Sequence, residues 1–215
     1  YGRRACEVER GMTSGDNAAL ANVAEALSKQ FSLEEARCLA QILSGSFMAD
    51  SISYDDLDLD PDMKDDMILL AYEKRILLPM KSRRGSAWED RILTFEETER
   101  YHLPRVVRFL IENAKDTGEW NTEPALIKAL EEAGEDQIEA IISYLNKLMK
   151  RAPKFELEVG VMQAIAAELG LEIDMHDTLD RFVRCGILSP RTQRSLHTGF
   201  SKYEMNPSLY WKSRD

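Results

Sequence analysis

Two segments of the chain end an apolar helix with the same short pattern, Ile-Leu-x-Pro, and then continue with basic residues. The patterns begin at Ile76 and Ile187, 111 residues apart, and an aromatic residue follows each of them, Trp88 in the first and Phe200 in the second. A helix that stops before a proline and leads into a basic, turn-forming segment predicts a helix joined to a β-hairpin. The repetition predicts two similar structural units, and the alternative is a chance similarity between two helix-to-hairpin junctions.

Length and composition suit a folded protein of one elaborate domain or two small ones, since the chain has 215 residues and 44% of them are hydrophobic. No apolar run approaches the roughly 18 residues that a membrane span needs, so we expect no membrane interaction. The three cysteines are far apart and form no Cys-x-x-Cys pair, which predicts reduced thiols in a cytoplasmic protein. Residues 1–11 are compatible with a vector-derived leader before a native start at Met12.

The first half of the chain reads as helix, short helical turn, helix and hairpin. Ser32 and Glu35 form a capping-box pattern before a helix over 33–43. A brief turn at 53–62 precedes a second helix over 63–75, and the apolar residues 76–78 predict a strand. A loop at 82–85 and a returning strand at 90–95 would complete the hairpin.

The second half continues with helical patterns. Apolar stripes predict helices around 106–111, 126–130 and 138–149, and a further helix over 161–169 ends before Gly170, which can take the left-handed conformation that turns a chain. The next helix leads to Pro190. A second basic segment follows, and the candidate strand residues after it are Tyr203, Met205, Leu209 and Tyr210.

The residues at 165–190, "IAAELGLEIDMHDTLDRFVRCGILSP", resemble the winged helix-turn-helix superfamily most clearly, and those at 62–85, "DMKDDMILLAYEKRILLPMKSRRG", resemble it second. The resemblance covers about two thirds of the chain. It implies a mainly α fold with two tandem winged-helix units whose hairpins are the wings. The corresponding division is an N-terminal extension (1–29), a first unit (30–100), a helical connector (101–135) and a second unit (136–215).

The resemblance leaves two functions open. In many transcription regulators of this superfamily, the second helix of the motif enters the major groove and the wing touches the DNA backbone or the minor groove. The same fold also serves as a protein-interaction module. The first hypothesis is therefore a non-enzymatic regulatory or scaffolding protein that binds another protein or a second copy of itself. The alternative is a regulator that binds double-stranded DNA through its wings.

Charge is distributed unevenly along the chain, whose formal net charge is −10. The segment 49–66 has eight aspartates against one lysine, whereas 181–215 has seven basic residues against two acidic ones. Carboxylates at the starts of the two motif helices would repel DNA phosphates, and this ranks protein binding first. The basic residues of the predicted wings favour DNA binding instead, because they could contact the phosphate backbone. The candidate contact residues for either partner are Lys81, Arg83, Arg84, Trp88, Arg191, Arg194, His197 and Lys202.

Catalysis and metal binding find little support in the sequence. Asp56, Asp58 and Asp60 alternate as in an EF-hand loop, but Pro61 stands where that loop needs glycine and Met67 where it needs glutamate. There is no glycine-rich phosphate loop and no nucleophile motif. Cys185, at the end of an apolar helix, is expected to be a small buried residue. We therefore expect no catalytic residue, no metal ligand and no cofactor.

Overall fold

The computed structural model describes residues 14–45, 51–57, 59–191 and 202–211. Within these ranges the chain is mainly helical, as predicted, and has eight α-helices. They are α1 (Ser14–Ser28), α2 (Leu33–Gly45), α3 (Pro61–Glu73), α4 (Arg105–Thr117), α5 (Thr122–Glu132), α6 (Ile138–Arg151), α7 (Val159–Glu168) and α8 (Met175–Arg184). None of these helices is long and apolar enough to cross a bilayer.

In the described part of the chain, six short strands form two antiparallel sheets of three strands each. The strands are β1 (Ile52–Ser53), β2 (Leu78–Pro79), β3 (Arg100–His102), β4 (Glu156–Glu158), β5 (Leu188–Pro190) and β6 (Lys202–Met205). In the N-terminal sheet the order is β1-β3-β2, and in the C-terminal sheet it is β4-β6-β5. In both sheets the last strand in sequence is therefore central and pairs with the other two.

The helices predicted from capping and periodicity are present. Those predicted over 33–43, 63–75, 138–149 and 161–169 begin and end within two residues of the predicted positions, whereas α4 and α5 extend well beyond the apolar stripes at 106–111 and 126–130. The capping box at α2 is formed, because the Ser32 backbone N–H donates to Glu35 Oε2 at 2.8 Å and the Glu35 N–H donates to Ser32 Oγ at 3.3 Å. Gly170 has a φ of 65°, as its predicted turn requires. Asp174 caps α8 by accepting from two backbone N–H groups of the first turn.

Two strand predictions need correction. The segment 90–95 does not return as a strand, because its one β contact is the isolated bridge between Ser82 and Arg91. The strand that pairs with β2 is instead β3, at 100–102. Tyr101 in β3 is fully buried and its hydroxyl donates to the Thr94 carbonyl at 2.6 Å, which holds the preceding segment against the sheet. Of the four candidate strand residues near the end of the chain, Tyr203 and Met205 lie in β6, whereas Leu209 and Tyr210 lie in a 3₁₀ turn, Pro207–Tyr210, that Asn206 caps.

Helix α1 lies inside the predicted N-terminal extension and is part of the fold. It packs against α2 and α4, and Val23, Ala26 and Leu27 on its inner face are almost completely buried. One cluster of buried apolar side chains runs from Val23 to Leu209 and includes residues of both sheets and of the connecting helices. The two halves therefore share a common core.

The two Ile-Leu-x-Pro junctions have the same backbone geometry. Helix α3 is followed by Arg75 at a φ of 55°, and α8 is followed by Gly186 at a φ of 72°. Each of these residues donates its N–H to the carbonyl three positions back at 3.0 Å. The next residue, Ile76 or Ile187, donates to the carbonyl five positions back at 2.9 Å. This is the Schellman arrangement that ends helices with a left-handed residue.

Candidate interaction surface

The segment between β2 and β3, residues 80–99, corresponds to the predicted first wing, and we use that name for it. Its tip carries three of the predicted contact residues. Backbone hydrogen bonds from Arg83 N–H to Asp90 O (2.9 Å) and from Ile92 N–H to Lys81 O (3.0 Å) hold the two sides of the tip together. The side chains of Lys81, Arg83 and Arg84 are exposed. Within the described ranges, no ion pair engages any of the three.

Trp88 belongs to the same wing but faces inward. Its side chain is only 4% exposed. The Trp88 backbone N–H donates to Ser189 Oγ of the second half at 2.8 Å, and the Trp88 backbone carbonyl accepts from Tyr72 Oη at 3.1 Å. The large indole contributes far more by burial than it could by an exposed contact. Its predicted role as a contact residue does not fit this position, and Trp88 instead helps to attach the first wing to the second half.

Arg191, predicted as a basic contact of the second wing, lies in a network of ion pairs between the halves. Its guanidinium is within 2.7 Å of Glu156, 3.2 Å of Glu89 and 3.7 Å of Glu204. Glu204 also accepts from Arg75 Nε at 3.0 Å, and the side chain of Glu204 is only 9% exposed. Because three carboxylates surround it, Arg191 has little positive charge to offer a partner.

The remaining predicted residues of the second wing contribute less. Lys202 on β6 pairs with Glu158 on the neighbouring β4 at 3.3 Å, and both side chains are about half exposed. A pair this exposed is weak and leaves the lysine partly accessible. Arg194 and His197 lie outside the described residues. The predicted basic contact residues of the two wings are thus differently placed: among the described ones, Lys81, Arg83 and Arg84 of the first wing are fully accessible, and Lys202 is partly accessible.

The exposed faces of the two motif helices carry carboxylates. On α8, Asp177 and Asp180 are exposed, and His176 lies 3.8 Å from Asp180. On α3, Asp66 is exposed, whereas Asp65 accepts a 2.6 Å hydrogen bond from Tyr54 Oη. This hydrogen bond raises the pKa of Tyr54 to about 12. The acidic character inferred from the sequence therefore remains on the surface at Asp66, Asp177 and Asp180.

The first wing also exposes two large apolar side chains that the sequence reasoning did not select. Met80 is 52% exposed and Phe95 is 40% exposed. Methionine, aromatic residues and arginine are enriched in protein interfaces relative to the rest of a protein surface. The signal that could have found these residues is the presence of isolated apolar residues in a segment otherwise rich in charge.

A family model matches residues 21–213. The chain belongs to that family, whose function is unknown. The match begins within α1 and runs past the 3₁₀ turn after β6, so the family includes both sheets and the helices between them. No curated protein and no solved structure matches the chain.

Potential reactive groups in the described part of the chain are few. No cluster of three His, Cys, Asp or Glu side chains in these ranges could hold a metal ion. Cys185 is completely buried, as predicted, and its Sγ lies 3.3 Å from the Ala129 carbonyl. Burial raises the pKa of this thiol to about 11, which keeps it protonated and unreactive at neutral pH.

Proposed function

We propose that this protein is a non-enzymatic regulatory or scaffolding protein that has two winged-helix units and binds a protein partner through its first wing. The observation that carries this proposal is the surface of that wing, which combines exposed Met80 and Phe95 with the free basic side chains of Lys81, Arg83 and Arg84. An acidic protein surface with apolar residues would complement it.

The winged-helix part of the proposal is supported by element order. The second half runs α6, β4, α7, α8, β5, β6, and its first strand pairs with its third. A helix-turn-helix followed by a hairpin has this order. The first half differs, because a turn at 53–57 stands where α7 stands in the second half. The matching helix ends at Arg75 and Gly186 support a common origin for the two units.

Electrostatics favour a protein over DNA as the partner. A helix that enters the major groove lies among phosphates, and there the exposed carboxylates of Asp177 and Asp180 on α8 would be repelled. The second wing offers little compensation at Arg191, whose charge is balanced by Glu89, Glu156 and Glu204. Neither objection applies to a protein partner.

DNA binding is the second candidate, and the unpaired basic tip of the first wing favours it. Lys81, Arg83 and Arg84 could contact the phosphate backbone without inserting a helix into the groove. Such binding would be independent of base sequence and strongly dependent on salt, because it would rest on the release of counterions from the DNA.

Affinity capture of partners tests the protein-binding proposal. The bait is the full chain, and the captured proteins are quantified by mass spectrometry. The Met80→Ser plus Phe95→Ser variant should lose the partner, whereas Leu33→Ser plus Val161→Ser, which removes two comparably exposed apolar side chains elsewhere, should retain it. Equal recovery of the partner with the Met80→Ser plus Phe95→Ser variant and with the Leu33→Ser plus Val161→Ser variant would contradict the proposal. Sedimentation of the wild type and the same variants tests whether the partner is a second copy of the chain.

Fluorescence anisotropy of a labelled random-sequence duplex tests the second candidate. We expect no binding at physiological salt. Binding that weakens steeply as salt rises, and that is lost in the Arg83→Ala plus Arg84→Ala variant, would instead establish DNA as a ligand of the first wing. Arg37→Ala plus Arg151→Ala is the matched control, because it removes the same charge from helices outside the wing.

A further inference from the structure

A groove of about 460 Å³ lies between the first two turns of α2 and the first two turns of α3. Its floor consists largely of sulfur-containing side chains, because Cys38 and Met67 are buried there and Met63 is half-buried. Cys38 Sγ lies 3.1 Å from Met63 Sδ. Methionine adapts its shape to its neighbours and is common on binding surfaces. The floor therefore suits an apolar side chain that enters from outside.

Carboxylates line the sides of this groove. They are Glu34, Glu35, Asp60 and Asp66, and among the described residues in its walls none is basic. Glu35 belongs to the capping box of α2, where it accepts from the Ser32 N–H. Glu34 and Asp66 are exposed, and within the described ranges no ion pair engages either of them. These two carboxylates are therefore available to a partner.

The basic residues of the two helices lie away from the groove. Lys64 on α3 donates to the Tyr54 carbonyl at 3.0 Å, and its ammonium group lies 4.4 Å from the centre of the Tyr54 ring. Arg37 on α2 lines a different groove, between α1 and α2. The helix dipole alone favours acidic residues at a helix start, but it does not explain an apolar floor between them. The combination fits a partner surface that is both basic and apolar.

The first wing has such a surface. Within six residues it combines Met80, which is 52% exposed, with the exposed cations of Lys81, Arg83 and Arg84. Arg91 Nη1 donates to the Met80 carbonyl at 3.1 Å, which fixes the backbone that carries Met80. A surface that is held in place before binding loses less conformational entropy when it binds.

The wing of the same chain is attached at the other end of α3. Tyr72, in the last turn of this helix, donates to the Trp88 carbonyl at 3.1 Å, and the Trp88 N–H donates to Ser189 Oγ at 2.8 Å. The groove lies at the start of α3, and the nine positions from Met63 to Tyr72 correspond to about 13 Å along a helix. One chain therefore presents the two complementary surfaces at separate places.

We propose that this groove binds the first wing of a second copy of the chain. The cations of the wing would face Glu34 and Asp66, and Met80 would lie over the sulfur-lined floor. The volume is within the range of sites that enclose small molecules, so the groove can accept exposed side chains from a turn. This inference rests on the proposed function, since it names the partner of the first wing. Because the two surfaces differ, reciprocal exchange of wings between two chains would close the assembly.

Sedimentation velocity of the full chain over a range of concentrations tests the groove. The wild type should associate as its concentration rises, and salt should weaken the association because it screens exposed charges. Two charge reversals, Arg83→Glu plus Arg84→Glu in the wing and Glu34→Lys plus Asp66→Lys in the groove, should each weaken it roughly tenfold or more, because like charges would then oppose each other. All four side chains are exposed, and circular dichroism verifies that the variants fold.

An equimolar mixture of the two reversed variants is the decisive sample. The acidic wing of one variant then meets the basic groove of the other, and the unchanged wing and groove also match, so association should return to near the wild-type level. Asp177→Lys plus Asp180→Lys on α8 is the matched control, because Asp177, like Glu34, lies in the first turn of its helix and both aspartates are exposed. This control should associate like the wild type.

Three outcomes would each overturn the proposal: a wild type that stays monomeric, a groove reversal that associates like the wild type, or a mixture that does not associate. Failure of the proposed function gives a different result. If affinity capture recovers another protein that the Met80→Ser plus Phe95→Ser variant loses and the groove reversal retains, the first wing has a protein partner and the groove is not its site. If no change in the wing alters capture or association, both proposals are wrong.

Discussion

Replacement of Gly186 by alanine should destabilise the protein strongly, for two separable reasons. Gly186 has a φ of 72°, and an L-residue with a side chain is strained in this left-handed conformation by roughly 1–2 kcal/mol. In addition, an added Cβ would lie 2.5 Å from Pro104 Cβ and 3.1 Å from Pro104 Cα. Pro104 is buried at the start of α4 and cannot move without moving the helix.

The steric contribution can be isolated by a matched substitution. Gly170 has a φ of 65°, but an added Cβ there meets no described atom within 4 Å. Gly170→Ala therefore carries the conformational strain alone. Overpacking in a rigid environment costs about 1–3 kcal/mol. The sum for Gly186→Ala is thus roughly 2–5 kcal/mol, against roughly 1–2 kcal/mol for Gly170→Ala.

Urea denaturation followed by circular dichroism measures both values. The free energy of unfolding should fall further for Gly186→Ala, with a similar dependence on urea concentration for the two variants. If both variants lose the same stability, the close contact between the α8 end and Pro104 does not exist as described. The described packing of Gly186 against Pro104 would then be incorrect.

Two further predictions concern hydrogen bonds. Asn206 is fully buried, and its Nδ2 donates to the carbonyls of Arg75 and Gly186, both at 3.2 Å. Asn206→Ala would leave these two carbonyls without this donor. It should therefore reduce the free energy of unfolding by roughly 2–5 kcal/mol in the same urea assay. A loss under about 1 kcal/mol would contradict this reasoning. Hydrogen bonds from Ser32 lower the pKa of Glu35, so the carboxylate stabilises the folded state above the ordinary glutamate pKa and this stabilisation is lost as pH falls. Ser32→Ala should therefore destabilise the protein more at pH 7 than at pH 3 in thermal melts. A loss of stability that is the same at both pH values would show that the ionised Glu35 carboxylate does not stabilise the cap of α2.

The placement of charge is the main functional result of the tertiary structure. Basic residues that look equivalent in sequence are placed differently, because Arg83 at the first wing is exposed and forms no ion pair with the described residues, whereas Arg191 is balanced by three carboxylates. The accessible surface of the first wing supports binding of a partner.

The candidate contact surface was only partly predictable. Lys81, Arg83 and Arg84 lie on an exposed turn, as a basic turn-forming segment suggests. Trp88 could not be assigned correctly, because its burial depends on Ser189, a residue 101 positions away. The exposure of Phe95 depends in turn on the returning strand lying at 100–102 instead of at 90–95.

The sequence by itself determined the helices from α2 to α8, the capped and left-handed ends of several of them, and the similarity of the two junctions, but not α1. Caps, apolar stripes and left-handed helix ends involve residues no more than five positions apart, so the local sequence is sufficient to specify them. Only the tertiary structure decided which strand is central, which aromatic is buried and which charges are paired. Arg191, for example, meets Glu89 across 102 positions of sequence. Such contacts follow from the packing of the two halves on one shared core, and no local pattern encodes them.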